Sequence, residues 1–395
     1  MGGLVLLFAA IWFAVGFIPI VPTDLDIFFW PSAQAALAGH ALSAYSQTPL
    51  DQYPNVNQNG PLSLVPLTAI GFVVRVLGLM DSLHLRRAIT LAFFSLFILL
   101  MAREGVAAID RLRGKRVEGM ARLLAYAALA AGPPVWQSLG GYGHIEQPFE
   151  VWFALLAIRW LDQGATTRSG LALGLAILSR SIAGLYALPL TLFAWRRGPI
   201  RAGLMLLVAA ATAVLGLLPF YVADPAAVTE SLFTNRSLLA VGAGSIWNLS
   251  IGTVFKQVAE HDDILFVAGL AVVANLWLAT RRGGLTEERL FAAMTLTAAS
   301  LVLLAKTVWP YYLMEMYVFA TVWTAGTWRV PNGWPRLVMA PVAVSALGLI
   351  AEYGSTPQLA PNAVRLESLA MFLLVGAFMV WVAVQDSRRS SISHR

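Results

Sequence analysis

Two aspartates, Asp24 and Asp26, lie one residue apart directly after the first apolar stretch of the chain, in the sequence TDLDIFFW. Helix capping explains one acid here, since Asp24 can cap a helix that begins near Ile27. It does not explain a second acid beside an aromatic run that should lie on a membrane surface, because acids near hydrocarbon tend to be functional. The pair therefore indicates general-base chemistry, in which a carboxylate takes a proton from a hydroxyl group.

Three polar residues, His144, Glu146 and Gln147, occupy a short loop between two apolar stretches. A loop of this length must stay close to the membrane surface, so its side chains can join a site there. We expect these residues to bind substrate, and the alternative is a solvated turn.

Arg180 stands in AILSRSIAG, between two apolar segments that are each shorter than a normal membrane span. Broken segments often mark binding sites in membrane proteins, because irregular backbone is tolerated only where it lines a cavity. A guanidinium offers a planar set of donors that suits phosphate. We therefore expect Arg180, Arg236 and Lys306 to bind a phosphate, and the alternative for Arg180 is snorkelling to a lipid headgroup.

Acids for proton transfer and arginines for a phosphate together suit the transfer of a sugar from a lipid phosphate to a hydroxyl group. The hydroxyl oxygen attacks the anomeric carbon while a carboxylate takes its proton, and the phosphate leaves with its charge stabilised by a guanidinium. A single displacement inverts the anomeric configuration. Asp24 is the predicted base, and Asp26 is predicted to hold the acceptor, orient the base or bind a cation.

The composition places these residues in a membrane protein. Of the 395 residues, 58% are hydrophobic and 12% are charged, whereas a soluble protein carries about 25% charged residues. The chain has no cysteine, which excludes disulfides and thiol chemistry. The net charge of +6 is spread over short loops, which is typical of membrane topology, so nucleic acid is not an expected partner. No metal site is predicted because nothing resembles the H-E-x-x-H pattern, and a divalent cation is the one cofactor left open.

Apolar runs predict an all-α, polytopic transmembrane protein with about twelve spans, since each span needs roughly 20 residues. The predicted spans cover 3–21, 86–103, 118–137, 149–163, 168–181, 182–196, 200–221, 263–280, 287–306, 310–327, 335–352 and 367–385. Two assignments have alternatives. Residues 61–80 could form a further span, and residues 169–195 could form one long span instead of two short ones.

The distribution of Lys and Arg decides the topology. With both termini in the cytoplasm, the outer segments hold eight basic residues and the cytoplasmic segments hold 19 of the 27, as the positive-inside rule requires. A span at 61–80 would reverse this bias and place Arg75 in hydrocarbon. We therefore expect 61–80 to be a helix on the outer surface, within a long first outer segment, 22–85. The candidate residues then share the outer face.

At this point the sequence resembles the membrane-embedded C-type glycosyltransferases. The resemblance is carried by TDLDIFFWPSAQAALAGHALSAY, by the polar loop YPNVNQNGP, and by RSGLALGLAILSRSIAGLYALPLTLFAWRRG. The stretch GSIWNLSIG is similar to an element of glycosyltransferase family 87, which includes polyprenyl-phosphomannose-dependent mannosyltransferases. The resemblance covers most of residues 1–320, and the last two predicted spans carry no recognised motif.

The resemblance implies roles for particular residues. Asp24 takes the place of the proposed base, while Asp26 falls on a variable position; Gly39 is one residue late in the pattern, which keeps the choice between the two acids open. Further substrate-binding candidates are Tyr53 of the polar loop and Asn248 of GSIWNLSIG. Tyr311, in KTVWPYYL, is also a candidate, with an interfacial aromatic belt as the alternative.

Taken together, the sequence predicts a transferase module at 1–320 and C-terminal transmembrane helices with a cytoplasmic tail at 321–395. The expected location is a bacterial inner membrane, with the site on the periplasmic side. The expected partners are membrane lipids, a polyprenyl-phosphate sugar as donor, and a lipid or glycan acceptor. The alternative is a multi-span transporter or flippase of lipid-linked sugars, which would also explain many spans with ionisable residues.

Overall fold

The computed structural model describes residues 2–18, 23–46, 59–234, 241–242, 244–249, 257–259, 263–281, 284–327, 334–354 and 361–392. These residues are almost entirely helical, and none of them lies in a strand. The all-α prediction is therefore confirmed for the described part of the chain.

The α-helices within the described residues range from four to 32 residues in length. In chain order they are α1 Gly2–Val15, α2 Trp30–Leu37, α3 Leu64–Val76, α4 Leu83–Arg113, α5 Gly119–Ala131, α6 Pro133–Trp136, α7 Glu146–Asp162, α8 Thr166–Ser179, α9 Ala187–Trp195, α10 Pro199–Ala223, α11 Pro225–Thr229, α12 Ile264–Ala279, α13 Glu287–Leu304, α14 Leu313–Thr327, α15 Trp334–Gly354 and α16 Pro361–Ile392.

Three helices within the described residues are long and apolar enough to cross a membrane: Leu83–Arg113, Pro199–Ala223 and Asn362–Gln385. The longest of these three segments is Leu83–Arg113, which is α4; its 31 residues extend about 46 Å, whereas the hydrocarbon core is about 30 Å thick. Shorter apolar helices include Gly3–Val15 and Ile264–Ala279. The chain therefore has helices that could span a membrane, and the figure of about twelve spans stays a prediction.

The two segments with alternative assignments are both broken or short. Within 61–80, a 3₁₀ turn at Pro61–Ser63 leads into the 13 residues of α3, which extend only about 20 Å and pack against α2 and α4. Within 169–195, α8 ends at Ser179 and Arg180 takes an extended conformation, with φ −152° and ψ 122°. The chain thus forms two short helices on either side of Arg180.

Two helices form the centre of the bundle. Nearly every residue of α13 and α14 is buried, which matches sequences that are apolar on all sides. α14 packs against α13, α4 and α15, while α4 also packs against α1 and α7. A second group is formed by α8, which packs between α7 and α10. This packing fixes the ends of the helices relative to one another.

Several of the described candidate residues meet at one end of this bundle because neighbouring helices run antiparallel. α7 begins at Glu146 at this end, and α8 ends there immediately before Arg180. α13 ends two residues before Lys306, and a 3₁₀ turn at Pro310–Tyr312 leads into α14. We call this the acid-bearing end.

Other ion pairs collect at the opposite end. Arg197 Nη2 donates to Asp162 Oδ1 at 3.0 Å, where α7 ends, and Arg111 Nε donates to Glu287 Oε1 at 2.9 Å, where α13 begins. Asp162, Arg197 and Glu287 line one cavity of about 320 Å³. The two ends of the bundle therefore carry separate sets of charged residues, and the side of the membrane that each end faces stays a prediction.

Reporter fusions test that topology. We expect fusions after Gly114 and after Gly283 both to report the cytoplasm, because the cytoplasmic segments hold 19 of the 27 basic residues. The measurement is the activity ratio of a periplasm-active and a cytoplasm-active reporter at each position. A periplasmic result at either position would separate the predicted outer residues into two compartments.

Candidate functional site

A chain of three side chains lies at the acid-bearing end. The ring of His144 is placed between two carboxylates: Nε2 is 2.9 Å from Asp24 Oδ2 and Nδ1 is 2.5 Å from Glu146 Oε1. Both partners accept hydrogen bonds only, so a doubly protonated imidazolium satisfies both contacts. We call Asp24, His144 and Glu146 the carboxylate–histidine triad. All three residues were candidates from the sequence, and the structure brings them into direct contact.

The protonation of His144 follows from these neighbours. The residue lies between the helical segments that end at Tyr142 and begin at Glu146. Burial lowers the pKa of His144, but the charges of Glu146 and Asp24 and the hydrogen bonds to both outweigh it and raise the pKa to about 9. His144 therefore carries a positive charge at neutral pH and donates to both carboxylates.

Gly143 allows the two parts of the triad to approach. Its φ of +79° lies in the left-handed region, which favours glycine. A Cβ at this position would lie 2.6 Å from Leu25 Cβ and 2.8 Å from Thr23 Oγ1. Any side chain here would push residues 23–25 away from the loop, and with them the carboxylate that contacts His144.

Asp26 lies in a different environment from Asp24. Its Oδ2 accepts from Arg87 Nη2 at 2.6 Å and Nε at 3.2 Å, and from the Thr23 backbone N–H at 2.9 Å. The Asp26 side chain is 5% exposed, whereas that of Asp24 is 27% exposed. Asp26 therefore anchors the helical segment Leu25–Phe29, which leads into α2, to α4, and Asp24 is the more solvent-exposed acid of the pair.

Behind the triad lies a second, fully internal layer of charge. Arg180 Nη1 donates to Glu315 Oε1 and lies 3.7 Å from Glu150 Oε2. Gln147 Nε2 donates to the same Glu315 oxygen at 3.0 Å and to the Tyr311 carbonyl at 3.0 Å. We call Glu150, Arg180 and Glu315 the inner ion cluster. Arg180 is thus engaged with carboxylates, and its predicted contact with a donor phosphate stays a prediction.

The predicted substrate-binding residues at this end of the bundle are largely buried and contact one another. Glu146 and Gln147 are completely buried; they hold His144 and Glu315 instead of facing the surface. The Tyr311 ring lies against the His144 ring, with the centroids 3.7 Å apart, and Arg180 lies 5.8 Å from the Tyr311 ring centroid. Tyr311 therefore joins the triad to the inner ion cluster.

Two further candidates belong to another set of contacts. Asn248 Nδ2 donates to the Gly242 carbonyl and, at 3.4 Å, to Ser368 Oγ of α16. Lys306 is buried, and its backbone N–H donates to Asp263 Oδ2 at 2.7 Å. The Lys306 carbonyl also accepts from the Gly242 backbone N–H at 2.8 Å, so both residues contact Gly242. Tyr53 and Arg236 lie outside the described residues.

Sequence reasoning did not select three charged residues that the site uses: Arg87, Glu150 and Glu315. Each lies within a predicted span or at its edge, where an ionisable side chain is itself a signal. Applied to every predicted span, that rule selects Glu150 and Glu315. The fact that both lie beside Arg180 depends on the fold. Among the described residues, no group of three or more His, Asp or Glu side chains is arranged to hold a metal ion.

Comparison with known proteins adds no family to this geometry. No family model matches the sequence, and no curated protein matches it.

The charge on His144 gives a pH-dependent stability. Because the folded-state pKa is raised to about 9, the stabilisation is complete below the unfolded value of about 6.5 and is lost as the pH rises through the folded value. We expect the melting temperature of the wild-type protein in detergent to fall between pH 6.5 and 9.5 more than that of His144→Gln. Parallel curves for the two proteins would show that His144 is not held as the cation.

Proposed function

We propose that this protein is an integral-membrane glycosyltransferase of the bacterial inner membrane. It moves a mannose-like sugar from a polyprenyl phosphate to a hydroxyl group of a lipid or glycan, with both termini in the cytoplasm and the acid-bearing end on the periplasmic side. One observation carries the proposal: a partly exposed carboxylate, Asp24, held by a buried His144–Glu146 pair at one end of an apolar helical bundle.

The geometry around Asp24 suits a general base. His144 fixes the carboxylate through a charge-assisted hydrogen bond at 2.9 Å, and Glu146 fixes His144 from the other side at 2.5 Å. The exposed part of the carboxylate then faces the surface where a lipid-linked substrate arrives. A positioned carboxylate of this kind contributes catalysis only if it lies within hydrogen-bond reach of the acceptor hydroxyl.

The reaction is a single displacement. Asp24 takes the proton of the acceptor hydroxyl as the oxygen forms a bond to the anomeric carbon. The bond between that carbon and the phosphate oxygen breaks, and its electron pair leaves with the lipid phosphate, so that the anomeric configuration inverts. Arg236 and Lys306, together with Arg180, stay the predicted ligands of the leaving phosphate, because cations aimed at developing charge stabilise the transition state.

A second function is favoured by the inner ion cluster. Buried ionisable residues inside a membrane bundle often mark a translocation path or proton relay, and Glu150, Arg180 and Glu315 are all buried. A transporter or flippase of lipid-linked sugars would use such a cluster without forming a new bond. The position of Asp24 and His144 at the end of the bundle, where the chain meets the surface, favours the transferase.

An assay with membranes separates the two functions. Membranes that contain the protein are given a polyprenyl-phosphate sugar radiolabelled in the sugar, and the label is followed by extraction and chromatography. The transferase yields labelled lipid or glycan that matched membranes without the protein do not form. Label that crosses the bilayer on an unchanged polyprenyl phosphate supports the transporter instead.

A further inference from the structure

Three aromatic side chains form a continuous surface beside His144. The Tyr142 and Tyr311 ring centroids are 5.2 Å apart, and the Trp309 ring is within 5° of parallel to the Tyr311 ring at 6.4 Å. Tyr311 in turn lies against His144. We call Tyr142, Trp309 and Tyr311 the aromatic ledge. Its outer part is open, because Trp309 is 36% exposed.

A carboxylate lies at the edge of this ledge. Glu352 of α15 is exposed, and its Oε2 accepts from Tyr142 Oη at 3.4 Å and from Gln137 Nε2 at 3.3 Å. The same Gln137 nitrogen donates to the Gly348 carbonyl at 3.2 Å, which fixes α15 beside the ledge. A helix from the C-terminal part of the chain therefore supplies an acid next to the aromatic ledge.

We propose that the aromatic ledge and Glu352 form a carbohydrate-binding subsite that holds the pyranose ring of the lipid-linked donor. This inference rests on the proposed function. A pyranose has an apolar face of C–H groups, which packs on an aromatic ring, and a rim of hydroxyl groups, which donate to a carboxylate. Binding sites generally combine such an apolar surface with a few placed polar groups.

The arrangement differs from that of an interfacial aromatic belt. Belt residues place an amphipathic ring at headgroup level, and Trp195, 61% exposed at the end of α9, is of that kind. Trp309 instead extends a surface that reaches His144 through Tyr311. At the Tyr142 edge of this surface lie the Glu352 carboxylate and the Gln137 amide. Because His144 contacts Asp24 at 2.9 Å, a sugar on the ledge lies close to the base.

Binding to the purified protein in nanodiscs tests the subsite without any transfer. Dissociation constants are measured for polyprenyl-phosphate mannose and for polyprenyl phosphate. The constant for polyprenyl phosphate divided by the constant for polyprenyl-phosphate mannose gives the contribution of the sugar to binding. We expect Glu352→Gln to reduce this ratio about tenfold, the worth of one hydrogen bond to a charged group. Trp309→Ala should reduce it by a similar factor, because it removes the apolar surface that covers one face of the ring. The constant for polyprenyl phosphate should not change, and Trp309→Phe should retain most of the ratio.

Trp195→Ala is the matched control, because it removes an exposed tryptophan at the opposite end and should leave both constants unchanged. The inference is overturned if the wild-type protein shows no contribution from the sugar. It is also overturned if both variants keep that contribution, or if they weaken the two ligands equally. If the ledge contributes to sugar binding but the protein forms no glycosidic bond, the subsite is retained and the transferase is rejected. If the protein transfers the sugar but the ledge does not contribute to binding, the transferase is retained and the subsite is rejected.

Discussion

Asp24→Asn is expected to lower the transfer rate by about 10²–10⁴-fold, the usual contribution of a positioned acid–base group. The amide keeps the size of the carboxylate and can still contact His144, which lies 2.9 Å from Oδ2, but it cannot accept the hydroxyl proton. The variant should therefore fold, reach the membrane and bind the donor. The measurement is kcat with a saturating polyprenyl-phosphate sugar, using protein shown to be intact by its melting curve.

Asp26→Asn is the matched control for this change. Because Asp26 accepts from Arg87 and Thr23 and is nearly inaccessible, its loss should lower stability and affect kcat per folded molecule much less. The reverse order would make Asp26 the base. Full activity in both variants and in the double variant would restrict the two carboxylates to structural roles and leave Glu146 as the next candidate.

Arg180→Ala is expected to lower the free energy of unfolding by about 3–5 kcal/mol, the typical cost of removing one partner from a buried ion pair. The Glu315 carboxylate is 2% exposed and is paired with Arg180. Without the guanidinium, its negative charge would be buried inside the bundle with no cation beside it. Glu150 lies 3.7 Å from the same guanidinium. The measurement is chemical unfolding in mild detergent, with Arg180→Lys expected to lose less.

The double variant Arg180→Ala, Glu315→Gln is the control for this effect. If the loss comes from uncompensated charge, removing the Glu315 charge as well should recover part of the stability, which a double-mutant cycle measures. A stable Arg180→Ala protein whose only defect is a raised KM for the donor would contradict the structural role. That outcome would favour the phosphate-binding role that the sequence predicts.

The residues of the triad were predictable individually, and their contacts were not. Asp24, His144 and Glu146 each stand out as acids or a histidine at the edge of an apolar stretch. The Asp24–His144 contact joins positions 120 apart in the chain, and a contact at that separation depends on how the helices pack. The close approach at Gly143 likewise becomes evident only when residues 23–25 are placed against it.

The different environments of Asp24 and Asp26 also depend on the fold. Their spacing indicated that the two side chains need not share a role, because residues two apart point in different directions in either an extended or a helical segment. Which of them faces solvent is decided by Arg87 on α4, since this buried guanidinium takes Asp26. Nothing in the sequence near position 26 indicates that partner.

The partner of Arg180 could not be inferred from charge alone. A guanidinium between two short apolar segments predicted an anionic ligand, and the break in the helix at that position was correctly located. The anion beside it in the structure is Glu315, which the apolar run of α14 concealed. Apolar runs also leave the number of spans open, because a helix buried inside a bundle and a membrane span have the same composition.

The central claim is that a new glycosidic bond is formed at the end of the bundle that carries Asp24. Purified protein in proteoliposomes, given a polyprenyl-phosphate sugar and a hydroxyl acceptor, tests it most directly when the product is analysed by NMR. The account predicts a glycoside whose anomeric configuration is opposite to that of the donor, formed by the wild-type protein and lost in Asp24→Asn. A product with retained configuration, or an unchanged donor that has only crossed the bilayer, would contradict it.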